Sequence, residues 1–226
     1  MVMAEFELLG KKNRERYLRI VTPVGNLFAR IGVHPNVLSV MGLILSIVAG
    51  LFYAMGYFFG AGCVVILAGT CDVLDGLLAR QTGKASRFGA FFDSTLDRFG
   101  EVFIFMGLAW YFSGGGIFFG QVLNPSSHAQ SPLAVVLIIL CIAGSFMVSY
   151  TRARAEALGV DCKVGLMQRP ERITLLIIGS LLGGIPVVGI AIIKVTLVVL
   201  AVLTNITALQ RMAFVKKALL RKTESP

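Results

Sequence analysis

Four aspartates are unusual in this chain because they interrupt stretches that are otherwise apolar. Asp72 and Asp75 are three residues apart, and Asp93 and Asp97 are four residues apart. On a helix, these spacings place both members of each pair on one face. The chain has only twelve acidic residues, so four of them in two short segments form a distinct cluster. Glu101 follows one helical turn beyond Asp97.

The apolar surroundings restrict the chemistry that these carboxylates can perform. An ionised carboxylate at mid-membrane depth costs roughly 2.5 to 3.5 kcal/mol, so positive charge must neutralise the cluster. Hard oxygen ligands at a water-accessible edge suit Mg²⁺ or Mn²⁺, which combine carboxylates with phosphate oxygens. Two other interpretations remain open. The aspartates could pair with Arg80, Arg87 or Arg98, or they could form a path for protons or cations.

The composition indicates the solvent in which the cluster lies. Hydrophobic residues make up 56% of the 226 residues and charged residues 15%, which is outside the usual range of soluble proteins. The net charge is +9, but the basic residues lie beside apolar runs and form no continuous polar face. This distribution argues against nucleic acid as a partner. We predict an all-α polytopic membrane protein.

The apolar runs divide this protein into elements. We predict a single domain over 1–226, with an N-terminal interfacial segment (1–35), a six-helix membrane core (36–210) and a basic tail (211–226). The N-terminal segment contains an amphipathic juxtamembrane helix, because apolar residues recur at helical spacing among the arginines from Lys11 to Arg30. The six transmembrane helices are predicted at 36–57, 59–81, 87–113, 132–156, 171–186 and 188–210.

The loops between these helices alternate in charge. Arg80, Lys84 and Arg87 fall in or beside one connection, whereas residues 113–131 and 183–189 contain no lysine or arginine. Basic loops stay on the cytoplasmic side, so we expect the active site and both termini to face the cytoplasm. The connection between the two aspartate-bearing helices is short, which predicts that they are neighbours. Small residues such as Gly76 and Gly89 would let the carboxylates converge.

The aspartates also belong to a longer motif. The sequence DVLDGLLAR at 72–80, followed by Gly89, Asp93 and Asp97, resembles the signature of the CDP-alcohol phosphatidyltransferases. The resemblance implies a six-helix membrane enzyme that is usually a homodimer. It also implies two Mg²⁺ or Mn²⁺ ions held by Asp72, Asp75, Asp93 and Asp97, with Asp97 as general base.

Further stretches are similar to one branch of this family, the phosphatidylinositol phosphate synthases. They are PNVLS at 35–39, SRFGA at 86–90, SYTRARAE at 149–156, RPER at 169–172 and QR at 210–211. The resemblance implies that the CDP-lipid contacts Asn36, Val37, Leu38, Ser39, Gly76, Arg80 and Ser86. It also implies that the phosphate of inositol 1-phosphate is held by Arg152, Arg172 and Arg211.

The expected reaction is transfer of a phosphatidyl group from CDP-diacylglycerol to inositol 1-phosphate, with release of cytidine monophosphate. Several alternatives remain open. The acceptor could be glycerol 3-phosphate or another alcohol, because three arginines identify an anionic acceptor without distinguishing one phosphate ester from another. The arginines could also be ordinary positive-inside charge. A cation or proton transporter is the alternative from a different class.

Overall fold

The computed structural model describes residues 11–115 and 130–224. Within these ranges the chain is helical apart from short connections, and it contains no β-strand. The all-α prediction is therefore confirmed for this part of the chain. The predictions for residues 1–10 of the N-terminal segment, residues 116–129 of the uncharged loop and residues 225–226 of the tail lie outside the described residues.

The described residues form seven helices. They are α1 (Lys11–Arg30), α2 (Pro35–Ala54), α3 (Phe58–Gln81), α4 (Arg87–Phe112), α5 (Pro132–Ala157), α6 (Arg169–Gly183) and α7 (Gly189–Glu224). The predicted juxtamembrane helix corresponds to α1. The last predicted span and most of the basic tail form one continuous helix, α7.

Local sequence explains where two of these helices begin. Pro35 occupies the first turn of α2, where its missing N–H costs nothing, and the His34 side chain accepts a hydrogen bond from the Asn36 N–H at 3.2 Å. Ser86 caps α4 because its hydroxyl accepts a hydrogen bond from the Gly89 N–H at 3.0 Å. Both helix starts place polar residues of the motif beside the aspartates.

Four of the described helices, α2, α3, α5 and α7, have the length and composition needed to cross a membrane. This protein is therefore a multi-pass membrane protein. The predicted count of six is not reached by this criterion. Helix α4 is long enough but carries the charged residues of the site, and α6 has only 15 residues against the roughly 20 that a bilayer requires.

Helix α2 holds the two aspartate-bearing helices in place. It packs along both α3 and α4, whereas α3 and α4 make few direct contacts with each other. The short connection therefore makes the ends of α3 and α4 neighbours, as predicted, without making the two helices packing partners along their length. Helices α2 and α4 approach closely at Gly50 and Gly107, where a Cβ on Gly107 would overlap the Gly50 backbone.

Helix α1 is docked on α3. The Tyr17 and Thr70 hydroxyls are hydrogen-bonded at 2.8 Å, and the Gln81 amide donates to Asn26 Oδ1 at 3.0 Å. A small apolar cluster beneath α1 joins the first three helices and consists of Val21, Leu38, Leu74 and Leu78. These contacts support α3 from the side opposite to the cluster of carboxylates.

Candidate active site

Three carboxylates converge at the junction of α2, α3 and α4. One oxygen from each of Asp72, Asp75 and Asp93 lies within 4.8 Å of the others. Asp75 is buried, and the Ser39 hydroxyl donates a hydrogen bond to its Oδ2 at 2.6 Å. Ser39 of α2 therefore orients the carboxylate of Asp75, while α3 and α4 supply the three carboxylates themselves.

The chemistry of this donor set fits a divalent cation that prefers oxygen. The three ligands are carboxylates from two different helices, and neither histidine nor cysteine belongs to the group. Such a set suits Mg²⁺ or Mn²⁺ rather than zinc, and it leaves coordination positions for phosphate oxygens or water. The predicted metal ligands Asp72, Asp75 and Asp93 are thus brought together.

The fourth aspartate, Asp97, lies outside this group of three. Its Oδ1 accepts a hydrogen bond from Arg169 Nη2 at 2.5 Å, and its Oδ2 lies 3.9 Å from Arg98 Nη1. Asp97 nevertheless lines the same cavity as the other three aspartates. The structure therefore places Asp97 beside the candidate metal site but engaged with a guanidinium group.

Arg169 is the residue that the sequence reasoning missed as part of the site. Its Nη1 lies 2.9 Å from Asp72 Oδ2, so one guanidinium bridges α3 and α4. Of the three arginines considered as partners for the aspartates, Arg98 lies near Asp97, but Arg169 makes the closer pairs. A signal was present in the sequence, because Arg169 and Arg172 are three residues apart at the start of a helix and share one face.

Arg172 forms a second ion pair in the same cavity. It is buried, and its Nη2 donates to Glu101 Oε1 at 2.8 Å. The cavity has a volume of about 50 Å³ and is lined by all four aspartates, Glu101, Arg169 and Arg172. Arg172, predicted to hold the acceptor phosphate, therefore lies next to the converging carboxylates.

A second cavity, of about 210 Å³, opens from the other side of the carboxylates. Five of the seven residues predicted to contact the CDP-lipid line it, namely Asn36, Ser39, Gly76, Arg80 and Ser86. Ser39, Asp75 and Asp93 line both cavities. We call the larger cavity the outer cleft and the smaller one the inner cavity; the candidate metal site lies where they meet.

The two remaining predicted donor contacts, Val37 and Leu38, are placed differently. The Val37 side chain is exposed, and the Leu38 side chain is 2% exposed within the apolar cluster beneath α1. Asn36 and Ser39 share a helix face, whereas the two residues between them point elsewhere. Leu38 thus supports the packing of α1, α2 and α3.

The three predicted acceptor arginines have different environments. Arg211 is buried and donates to two backbone carbonyls, those of Val164 at 2.8 Å and Val148 at 2.6 Å. Arg152 is exposed and pairs with Glu156 at 2.9 Å. The Arg211 guanidinium thus contacts α5 one turn before Arg152 and also contacts the connection that leads to Arg172.

Comparison with known proteins agrees with the motif. Residues 32–208 match the sequence model of the family described as CDP-alcohol phosphatidyltransferase. This chain belongs to that family.

Named relatives fall in one branch of the CDP-alcohol phosphatidyltransferases. A phosphatidylinositol phosphate synthase from Streptomyces avermitilis is 33% identical over 217 residues, which cover 93% of this chain and 83% of the relative. A phosphatidylinositol phosphate synthase from Mycobacterium tuberculosis is 32% identical over 202 residues, which cover 88% of this chain and 87% of the relative.

Crystal structures of the Mycobacterium tuberculosis enzyme have the same fold. The structure with CDP-DAG bound has a TM-score of 0.75 and 33% identity, covering 87% of this chain and 94% of the other. The complex with manganese and citrate has a TM-score of 0.74 and 32% identity, covering 86% of this chain and 88% of the other. This CDP-alcohol phosphatidyltransferase therefore resembles proteins that bind a CDP-lipid and a divalent metal.

Proposed function

We propose that this protein is a phosphatidylinositol phosphate synthase, which transfers the phosphatidyl group of CDP-diacylglycerol to inositol 1-phosphate and releases cytidine monophosphate. The observation that carries the proposal is the convergence of Asp72, Asp75 and Asp93 where the two cavities meet. A donor in the outer cleft and an acceptor in the inner cavity would meet at the carboxylates. The relatives that are phosphatidylinositol phosphate synthases support this choice of donor and acceptor.

The outer cleft has the chemistry to receive the CDP end of the donor. Arg80 offers positive charge to the pyrophosphate, and Asn36 and Ser86 offer hydrogen bonds. Gly76 leaves the floor of the cleft open between Asp75 and Arg80, because it adds no side chain there. The acyl chains of the donor would remain in the bilayer, between helices.

Asp72, Asp75, Asp93 and Asp97 would hold two Mg²⁺ or Mn²⁺ ions. Bound divalent cations would supply charge neutralisation for the pyrophosphate and for the departing cytidine monophosphate. Asp97 would accept the proton of the acceptor hydroxyl, which then attacks the lipid-side phosphorus. The ester bond to the acceptor forms as the bond to cytidine monophosphate breaks. In-line displacement needs positioning and charge more than covalent catalysis, which agrees with a site built from carboxylates and arginines.

The acceptor phosphate would bind to Arg172, Arg152 and Arg211. Arg172 is the nearest of the three to the carboxylates, because it lines the inner cavity with them. Guanidinium groups bind phosphate through paired hydrogen bonds and keep their charge at all physiological pH values. An anionic acceptor such as inositol 1-phosphate therefore fits this region better than free inositol or serine.

We further propose that α2 to α7 all cross the membrane, with the active site and both termini on the cytoplasmic side. Helix α4 is about 39 Å long, enough to span, and its charged residues lie at the site end. Helix α6 is only about 22 Å long, and the turn at 184–188 would complete its crossing. The charge difference between alternate loops supports this orientation. We also propose a homodimer, as the family resemblance implies.

The deciding experiment is an acceptor panel. Purified protein in lipid nanodiscs is given CDP-diacylglycerol, Mg²⁺ and one acceptor at a time: inositol 1-phosphate, glycerol 3-phosphate, inositol or serine. We expect cytidine monophosphate release with inositol 1-phosphate and little with the others. If cytidine monophosphate is released only with glycerol 3-phosphate, the proposed donor chemistry stands and inositol 1-phosphate is not the acceptor. Cation flux without any release of cytidine monophosphate would favour the transporter.

A further inference from the structure

The guanidinium of Arg169 is surrounded by carboxylates of the site. Nη1 lies 2.9 Å from Asp72, Nη2 lies 2.5 Å from Asp97, and Nε lies 3.9 Å from Glu101 Oε1. The aspartates belong to two different helices, and Arg169 reaches them from the first residue of a third, α6. Arg169 therefore neutralises Asp72 and Asp97, which the proposed function requires for metal binding and, in the case of Asp97, for proton transfer.

The carboxylates of this site differ in their nearest positively charged partners. Glu101 has its own partner in Arg172, at 2.8 Å. Arg169 is the cation nearest to Asp72 and Asp97, since Arg98 lies 3.9 Å from Asp97. A divalent cation bound by Asp72 and Asp97 would stand within a few ångströms of the Arg169 guanidinium, where like charges repel strongly in a partly buried site. A divalent cation and the Arg169 guanidinium would therefore compete electrostatically for the same two carboxylates.

In the described part of the chain, the guanidinium of Arg169 has one hydrogen-bond donor without an acceptor in its present position. Its Nε is buried and has no hydrogen-bond acceptor among the described residues. The side chain is 26% exposed and lines the inner cavity, so it has room to move. Glu101 Oε1, at 3.9 Å from Nε, would become a hydrogen-bond acceptor after a shift of about 1 Å. The Arg169 guanidinium thus has a second position available without leaving the cavity.

We propose that Arg169 competes with divalent cations for Asp72 and Asp97 and thereby sets the metal affinity of the site. This inference rests on the metal site of the proposed function and adds a positioning role for Arg169. While Arg169 is paired with Asp97, its guanidinium occupies the Asp97 oxygen that would otherwise accept the proton of the acceptor hydroxyl. Movement of Arg169 toward Glu101 releases Asp97 and Asp72 together, so metal binding and the availability of the base are coupled.

The test measures Mn²⁺ binding alone, with no substrate, on the full chain in nanodiscs. Electron paramagnetic resonance of unbound Mn²⁺ gives the dissociation constant. We expect Arg169→Gln to bind Mn²⁺ about tenfold more tightly than the wild type, which corresponds to about 1.4 kcal/mol. Arg169→Lys keeps the charge but reaches only one carboxylate at a time, so its affinity should fall between the two. The matched control, Arg98→Gln, removes a cation that lies farther away and should change affinity less than threefold.

The outcomes separate this inference from the function on which it rests. If neither the wild type nor Arg169→Gln binds Mn²⁺, the proposed metal site is wrong. Binding by the wild type together with equal or weaker binding by Arg169→Gln would overturn only the role of Arg169. An equal gain in Arg98→Gln would also overturn it, since the effect would then be general electrostatics. If Arg169→Gln does not purify as a folded protein, Arg169→Lys decides alone, with tighter binding supporting competition and unchanged or weaker binding overturning it.

Discussion

The outer cleft and the inner cavity meet at the same carboxylates but are built in opposite ways. The outer cleft is lined by small or solvent-exposed groups, such as Gly76, Ser86 and Arg80. The inner cavity combines apolar side chains with buried or half-buried ions that neutralise one another, above all Arg169 with Asp97 and Arg172 with Glu101. A ligand entering the outer cleft displaces mainly water, whereas a ligand entering the inner cavity must exchange partners with the protein's own charges.

Loss of the shared carboxylates should have the largest effect, because it disables both cavities at once. We expect Asp75→Asn to reduce turnover at least about 1,000-fold and to abolish tight Mn²⁺ binding, since several kcal/mol of charge stabilisation are lost. A chelator should do the same to the wild type, and added Mg²⁺ or Mn²⁺ should restore activity. Cytidine monophosphate release is the measurement, and Asp161→Asn, an exposed acidic residue paired with Lys163, is the control. Full activity in metal-free buffer would remove the metal from the mechanism.

Replacement of Asp97 should reduce turnover far more than it weakens binding of the donor nucleotide. We expect Asp97→Asn to lower turnover about 100- to 10,000-fold, the usual contribution of a positioned general base. Because Asp75 and Asp93 remain, binding of a cytidine nucleotide in the outer cleft should persist, as measured by calorimetry. Loss of nucleotide binding to the same extent as turnover would mean that Asp97 holds the donor rather than the proton.

Arg172 and Arg80 should affect different substrates if the cavities divide donor from acceptor. We expect Arg172→Ala to raise the KM for the acceptor about 10- to 100-fold, through loss of charge-assisted hydrogen bonds, with little change in the KM for CDP-diacylglycerol. Glu101→Gln is the matched control, because it breaks the same ion pair but keeps the guanidinium. An equal rise in acceptor KM in Glu101→Gln would assign the effect to the broken pair.

Arg80→Ala should show the reverse pattern. Since Arg80 lines only the outer of the two cavities, we expect the KM for CDP-diacylglycerol to rise about tenfold while the KM for the acceptor stays within twofold. Steady-state assays with each substrate varied in turn make the comparison. If Arg80→Ala and Arg172→Ala raise the same KM, the two cavities do not separate the substrates.

The smallest effect is expected at Arg152, the most exposed of the three acceptor arginines. Its pair with Glu156 lies on the helix surface, so Arg152→Ala should change the free energy of unfolding by less than about 0.5 kcal/mol. We expect the acceptor KM to rise about threefold, with Arg154→Ala, another exposed arginine of α5, as the control. Equal KM values in the two variants would remove Arg152 from the acceptor region.

Several features of this protein followed from the sequence because they depend on neighbours along one helix. The spacing of Asp72 from Asp75 placed both on one face of α3, and the resemblance to the family pointed to Asn36 and Ser39, which line the outer cleft. The predicted starts of α2 and α4, at residues 36 and 87, lie within one residue of the observed ones, since capping involves residues at most three positions away. The membrane environment followed from composition alone.

The tertiary structure decided which charges meet across helices. Arg169 is 72 residues from Asp97 along the chain, and its spacing from Arg172 did not indicate which carboxylates it would contact. The same is true of α2, which packs against both α3 and α4, and of Leu38, whose motif position did not reveal its burial. A helix fixes the neighbours of a residue within about four positions, whereas contacts between helices depend on how far each one is rotated and shifted in the packed bundle.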